Sequence, residues 1–360
     1  KSETVENGSE VPNGLYDKRL GPLQEGDICQ TCKCGIDLCP GHEGYCTLAK
    51  PIFNIEYLNI IKQILQCICI SCGSSLCDIE QLTRFTKVKK NKRLQTIFHS
   101  LGSKRYCKNP ECKCRRLQPT ITKDSLKIFI QYKDDTDSEK NKQELPAEYV
   151  LTLFNKLDNE FVKLLGFDYN SHPKNMILQN IVIPPPSVRP SVKMDSSQRA
   201  EDDTTIGLLT LIKWNSLMKQ KLDKTPELDI FNATPEQIQK HYERTANLVL
   251  PLTFYTATIT NNNLPKIPAA QHRNGKQIKD IKSRLRGKNG TVRQFLMGKR
   301  VDFSARSVIT GDPMLDVDEF GVPIPVAMSQ TFPELVTASN KEFLQKLVNN
   351  GPNEYPGAKR

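Results

Sequence analysis

Cys29-Gln-Thr-Cys32, then a six-residue loop, then Cys39-Pro-Gly-His42 make two short ligand pairs facing one another across a brief connection. Each pair fits on one tight turn, and the loop carries the second turn opposite the first, as a tetrahedral metal requires. Four protein ligands leave no open coordination position, so the chemistry is structural rather than catalytic. Cys69-Ile-Ser-Cys72-Gly73 is a further half-site whose partners must come from the cysteines between 107 and 114. All 12 cysteines lie between Cys29 and Cys114. A disulfide-stapled secreted chain would spread them over its length, so the concentration reads as structural zinc in a reducing compartment. Ordinary buried cysteines do not account for the 29–42 spacing; they do suffice for Cys34, Cys46, Cys67 and Cys77.

The second chemical feature is charge. Of a formal net charge of +11, segment 273–306 carries +9, from eleven Lys or Arg against Asp280 and Asp302. Such a concentration points to a polyanion, nucleic acid above all. Gly287, Gly290 and Gly298 interleave with the basic residues, letting backbone approach phosphate and providing hinges, which a merely solvated face would not need.

The elements that position these groups follow from periodicity. Ile55, Leu58, Ile61, Ile64, Leu65 and Ile68 recur at helical spacing, predicting a helix within 52–70 that leads into Cys69. The basic stretch 84–93 reads as an exposed helix or loop. Alternation over 126–132 predicts a strand, 133–144 a charged surface loop, 146–165 a helix and 176–183 a second strand. Pro184-Pro-Pro186 then forces a stiff loop. Helices are predicted at 206–222 and from Thr234-Pro-Glu-Gln237 onward, where the hydroxyl caps, proline suits the first turn and Gln237 completes a capping box. Their polar connector suggests an antiparallel pair, ended by the irregular 261–268 loop. At 360 residues, two or three domains are expected. No run of about 18 apolar residues exists to span a membrane. The N-terminus lacks the apolar core of a secretory signal. Without an initiator methionine or a polar tail, both ends are expected to continue into a longer chain.

Arg293-Gln-Phe-Leu-Met-Gly-Lys-Arg-Val-Asp-Phe-Ser-Ala-Arg-Ser-Val-Ile-Thr-Gly-Asp-Pro313 closely resembles the largest subunit of multisubunit DNA-directed RNA polymerase, of the eukaryotic nuclear and archaeal type and RNA polymerase II above all. Further strings agree in order: Leu15-Tyr-Asp-Lys-Arg-Leu-Gly21, Cys39-Pro-Gly-His-Glu-Gly44, Leu48-Ala-Lys-Pro51, Gln118-Pro-Thr-Ile121, Ile183-Pro-Pro-Pro-Ser-Val-Arg-Pro-Ser191, Ser197-Gln-Arg-Ala-Glu-Asp-Asp203 and Asn350-Gly-Pro-Asn-Glu-Tyr-Pro-Gly-Ala-Lys359.

The resemblance implies an α+β, zinc-stabilised polymerase clamp with an antiparallel helical coiled-coil pair and a basic switch segment. Its parts would be a zinc-binding region at 1–121, clamp core at 122–186, lid at 187–205, coiled coil at 206–259, rudder at 260–276, switch at 277–312 and the start of the active-site and dock region at 313–360. It implies two structural zinc ions, on Cys29, Cys32, Cys39 and His42 and on Cys69, Cys72, Cys107 and Cys114. Counting back from Gln118-Pro119 favours Cys114 as the eighth ligand, with Cys112 its rival. It also implies that Arg286, Lys288, Arg293, Arg300 and Arg306 hold template backbone, guanidinium groups forking onto phosphate and lysine adding a point charge. Gly290-Thr-Val-Arg293 departs from the Gly-Arg-hydrophobic-Arg usual there, so one phosphate contact is expected to be missing. Asp302 is expected to pair with Arg300 and Arg306.

The implied partners are template DNA, the RNA–DNA hybrid, the second-largest and smaller polymerase subunits, and transcription factors at the coiled coil. The implied location is the nucleus, or cytoplasm or virion for a viral enzyme. The family's magnesium-binding Asn-Ala-Asp-Phe-Asp-Gly-Asp loop does not occur here and in the family lies beyond this stretch, so magnesium binds elsewhere and no residue of this chain is assigned to catalysis. The competing reading is a non-enzymatic zinc-containing nucleic-acid-binding transcription factor. A zinc ubiquitin ligase fits less well, because the gap from Cys32 to Cys39 is too short for interleaved ligands.

Overall fold

The computed structural model describes residues 5–6, 9–77, 83–102, 105–112, 117–132, 142–193, 199–223 and 235–359, with backbone alone for 5–6, 9 and 235–247. It divides into two units, Lys1–Leu285 and Arg286–Arg360.

In the first unit, strand β1 (Gly44–Phe53) pairs antiparallel with β5 (Ile177–Ile183), Gly44 opposite Ile183 and Phe53 opposite Ile177, with an irregularity between Thr47 and Ile52. Strands β2 (Thr120–Asp124), β3 (Lys127–Gln131) and β4 (Lys142–Leu145) form a separate antiparallel meander. Helices α1 (Leu58–Leu65), α2 (Lys90–Ser100), α3 (Ala147–Asn155) and α4 (Asn159–Leu165) enclose one core with that meander. Ile61, Ile64, Ile97, Ile128, Val150 and Phe154 are fully buried there, each contributing about 2 kcal/mol by leaving water.

A second core lies under the long helix α5 (Asp203–Asp223), which packs on α6 (Pro235–Thr260). Leu208, Leu211 and Ile212 meet Leu252 and the β1 and β5 residues Leu48, Ile52 and Ile183. Gly207 is close enough to Ile259 that a Cβ would stand 3.0 Å from its Cγ1, so the absent side chain sets how near the two helices approach.

Several expectations need revision. The helix predicted from 52 starts later, because Ile52 and Phe53 end β1 and a short 3-10 turn, Ile55–Tyr57, intervenes. The 146–165 helix is two: it stops at Lys156 and restarts after Asp158, whose extended backbone begins α4, and Gly166 at φ 100° ends it. The charged loop gives way to strand at Lys142; its 133–141 part, like the proposed cap at Thr234, lies outside the described residues.

The second unit holds helices Ile324–Ser329 and Lys341–Asn350 and a π-helical turn, Val292–Leu296. Phe303 meets Phe332 edge-on at 6.2 Å, and Gln330 donates to the Ser304 carbonyl at 3.1 Å. Among the described residues no hydrophobic side chain beyond Ala270 is buried, while Ile309, Val317, Met314 and Leu335 stand almost fully exposed. So much bare apolar surface marks an interaction face. No described helix is long and apolar enough to cross a membrane.

Candidate metal centres and basic interface

The first ligand turn is built by its backbone. The Cys29 amide donates to the Cys34 carbonyl at 3.0 Å, and the Lys33 amide returns to the Cys29 carbonyl at 2.9 Å, with Lys33 at φ 61°. The Thr31 hydroxyl fastens the turn to the Arg19 carbonyl at 2.7 Å, and the His42 amide donates to the Leu20 carbonyl at 2.9 Å. The second half-site repeats the pattern: the Cys69 amide donates to the Ser74 carbonyl at 2.8 Å and the Gly73 amide to the Cys69 carbonyl at 2.9 Å, with Gly73 at φ 79°. Gln118 closes that module, accepting from the Ile70 amide at 3.1 Å and donating to the Cys69 sulfur at 3.5 Å.

The result is two groups of four ligand atoms, each group within 4.8 Å of one another: Cys29, Cys32, Cys39 and His42, and Cys69, Cys72, Cys107 and Cys112. Tetrahedral thiolates about 2.3 Å from zinc lie about 3.8 Å apart. The Cys32 and Cys39 sulfurs stand at 3.5 Å, Cys39 Sγ and His42 Nε2 at 3.8 Å, and the Cys72 and Cys107 sulfurs at 3.6 Å. Both groups can hold a metal ion. The fourth place in the second group is taken by Cys112, the rival in the sequence reading; Cys114 lies outside the described residues.

The thiols compete for protons. His42 holds Cys32 down at about 6, whereas Cys39, despite the hydrogen bond from the Gly41 backbone, is pushed up to about 11 by burial and the adjoining sulfurs. Burial disfavours the Cys72 thiolate, but hydrogen bonds from Ser74 and neighbouring thiols bring it to about 6, while burial drives Cys107 far above the usual range. Sulfurs this close cannot all be anions unaided, and a dication removes the conflict. Of the other described cysteines, Cys67 and Cys77 sit in the main core and Cys46 faces Asn215, while Cys34 lies beside the first ligand group, donating to the Cys32 carbonyl at 3.4 Å.

Arg286, Lys288, Arg293, Arg300 and Arg306 all fall in the second unit and all are exposed. Among the described residues Asp302 pairs with neither Arg300 nor Arg306, contrary to expectation, so those guanidinium groups are not tied to it. An exposed, glycine-punctuated run of this kind can hold a phosphate backbone and bend around it.

The family described as RNA polymerase Rpb1, domain 1, matches residues 1–296, and Rpb1, domain 2, matches residues 298–360. The chain belongs to the RNA polymerase Rpb1 family. One Rpb1 relative, the DNA-directed RNA polymerase II subunit RPB1 of Euplotoides octocarinatus, is 35% identical over 370 aligned positions covering 98% of this chain and 74% of the relative. Rpb1 is the largest-subunit family of the polymerase, so the chain serves an RNA-synthesising assembly and is not a free-standing zinc factor. The Rpb1 domain 1 match carries both four-ligand groups.

Proposed function

We propose that this chain forms the clamp of a DNA-directed RNA polymerase, closing over template DNA and the RNA–DNA hybrid during transcription. The observation that carries this reading is the ordered match of both Rpb1 domains along the chain. In it Cys29, Cys32, Cys39 and His42 hold one zinc ion, and Cys69, Cys72, Cys107 and Cys112 another. Three thiolates with one imidazole, and four thiolates, are donor sets that suit zinc, which when bound fixes the modules without taking part in reaction. Magnesium for nucleotidyl transfer binds on residues elsewhere in the polymerase.

Helices α5 and α6 act as the clamp coiled coil that receives transcription factors, 187–205 as the lid, 260–276 as the rudder and 277–312 as the switch. Arg286, Lys288, Arg293, Arg300 and Arg306 hold the template backbone without reading sequence, which an enzyme copying every template requires. From 313 the chain enters the active-site and dock region, and the exposed apolar side chains of the second unit support burial there by other parts of the enzyme. The assembly works in the nucleus, with the second-largest and smaller subunits.

A photo-crosslinking residue at position 300 or 306 of the assembled polymerase tests the reading. It predicts adducts to the template strand in stalled elongation complexes, independent of sequence. Adducts to protein alone would contradict it.

A further inference from the structure

Three consecutive acids, Glu201, Asp202 and Asp203, stand at the start of α5, and each reaches a different segment. Glu201 accepts from the hydroxyl of Tyr16, whose ring lies under the fully buried Arg189 guanidinium at 5.4 Å. Asp202 receives Arg284 Nη2 on both oxygens, at 2.7 and 2.8 Å. Asp203 divides its oxygens: one faces His272 Nε2 at 3.1 Å, the other accepts the Lys279 amide at 2.8 Å.

His272 and Lys279 flank a hairpin. The Ile278 amide donates to the Ala270 carbonyl at 3.0 Å and the His272 amide to the Lys276 carbonyl at 2.8 Å, with Gly275 at φ 79° in the turn. Arg273, Asn274 and Lys276 are exposed at its tip. One carboxylate therefore clamps both arms. Asn262 closes the base: its side chain donates to the Ala270 and Ile278 carbonyls at 2.9 and 2.8 Å and accepts the Ala270 amide at 2.7 Å. A free loop of this length would lose backbone freedom at every residue on being ordered by nucleic acid. Ordering it beforehand removes that cost from binding.

We propose that Asp202 and Asp203 are positioning residues for nucleic-acid handling: from the start of α5, Asp203 fixes the basic-tipped hairpin and Asp202 fixes, through Arg284, the lead into the basic segment. Neither touches nucleic acid. They act through His272, the Lys279 amide and Arg284, and they join the start of α5 to the hairpin and to Arg284. The proposal rests on the function proposed above, in which those elements meet template and hybrid.

The test uses assembled polymerase on a preformed RNA–DNA scaffold with 2-aminopurine at the upstream edge of the hybrid. The variants are Asp203→Asn, His272→Gln, Asp202→Asn, Arg284→Gln and the pair Asp202→Asn with Arg284→Gln, beside Arg300→Ala and Arg306→Ala. Asp203→Asn and His272→Gln should each shorten complex lifetime about fivefold and change the upstream-edge fluorescence, with kcat and KM for nucleotide held within twofold. The Asp202–Arg284 double variant should be no worse than either single one. His272→Gln, on a partly exposed side chain, carries the test should Asp203→Asn fail to assemble. Unchanged lifetime and fluorescence in the acid and His272 variants, with short lifetimes for Arg300→Ala and Arg306→Ala, would overturn the proposal and leave the clamp reading standing. Additive effects of Asp202 and Arg284 would also overturn it. Full lifetimes for the arginine variants would instead remove the clamp reading, and the proposal with it.

Discussion

Gly41 lies against Pro185 so closely that a Cβ would stand 2.7 Å from the proline Cγ, with Gly41 itself at φ +80°. Glycine is needed twice here, for the left-handed backbone and for the contact between the Cys39–His42 turn and the proline loop. Gly73, which follows the first ligand pair of the second module, also has φ +79°, but a Cβ there meets the Leu153 carbonyl oxygen at an ordinary 3.5 Å. Gly73→Ala should therefore cost only the backbone strain, about 1–2 kcal/mol, and Gly41→Ala that strain plus about 1–3 kcal/mol for the collision. Denaturant unfolding of the two variants checks this; equal losses would contradict it.

The second module distinguishes two neighbouring cysteines. Cys112→Ser should lose one of two bound zinc ions, and Cys114→Ser should keep both, as read by metal analysis of purified subunit. Because structural zinc contributes on the order of 10 kcal/mol to folding, chelation should unfold the modules around Cys29 to Cys112 before it affects α5. Zinc retained by Cys112→Ser and lost by Cys114→Ser would exchange their roles.

Asp280 gives a pH signature. Its burial would raise the carboxyl, but hydrogen bonds from Ser283 and the Asn262 amide outweigh burial and hold its pKa below the usual carboxylate range. A folded value below the unfolded one, near 3.9, contributes stability above about pH 4 that is lost as pH falls through the folded value. Asp280→Asn should cost about 2 kcal/mol at neutral pH, with the difference from wild type shrinking below about pH 4. Exchange protection of the Asn262 amide measures it locally. A difference independent of pH would show that the charge is not responsible.

Much of this was legible. The ligand spacing alone indicated the first metal group, because adjacent residues on tight turns leave the fold little to decide. Strand β1 was hidden because Lys50 occupies an interior position beside Leu48 and Ile52, breaking the alternation. The structure accommodates it, 8% exposed, with Glu148 at 3.3 Å. The break within 146–165 falls at Asp158, a residue type that favours helix starts, here with extended backbone and no side-chain capping hydrogen bond, inside what periodicity joined. The roles of Glu201, Asp202 and Asp203 were not legible, since their partners lie up to 185 residues away and only the fold brings them together. In the sequence they stand only within the Ser197–Asp203 string that resembles the family, and nothing local names their partners.

The central claim is that the exposed basic segment holds nucleic-acid backbone, and the salt dependence of complex dissociation tests it most directly. Arg286, Lys288, Arg293, Arg300 and Arg306 would be changed together to Gln in the assembled polymerase, and lifetime followed from low to high salt. Each lost phosphate contact should reduce the logarithmic salt slope by about 0.9, giving a fall of about 4 to 5 with no change in template preference. An unchanged slope, or a slope that varied with template sequence, would contradict the account.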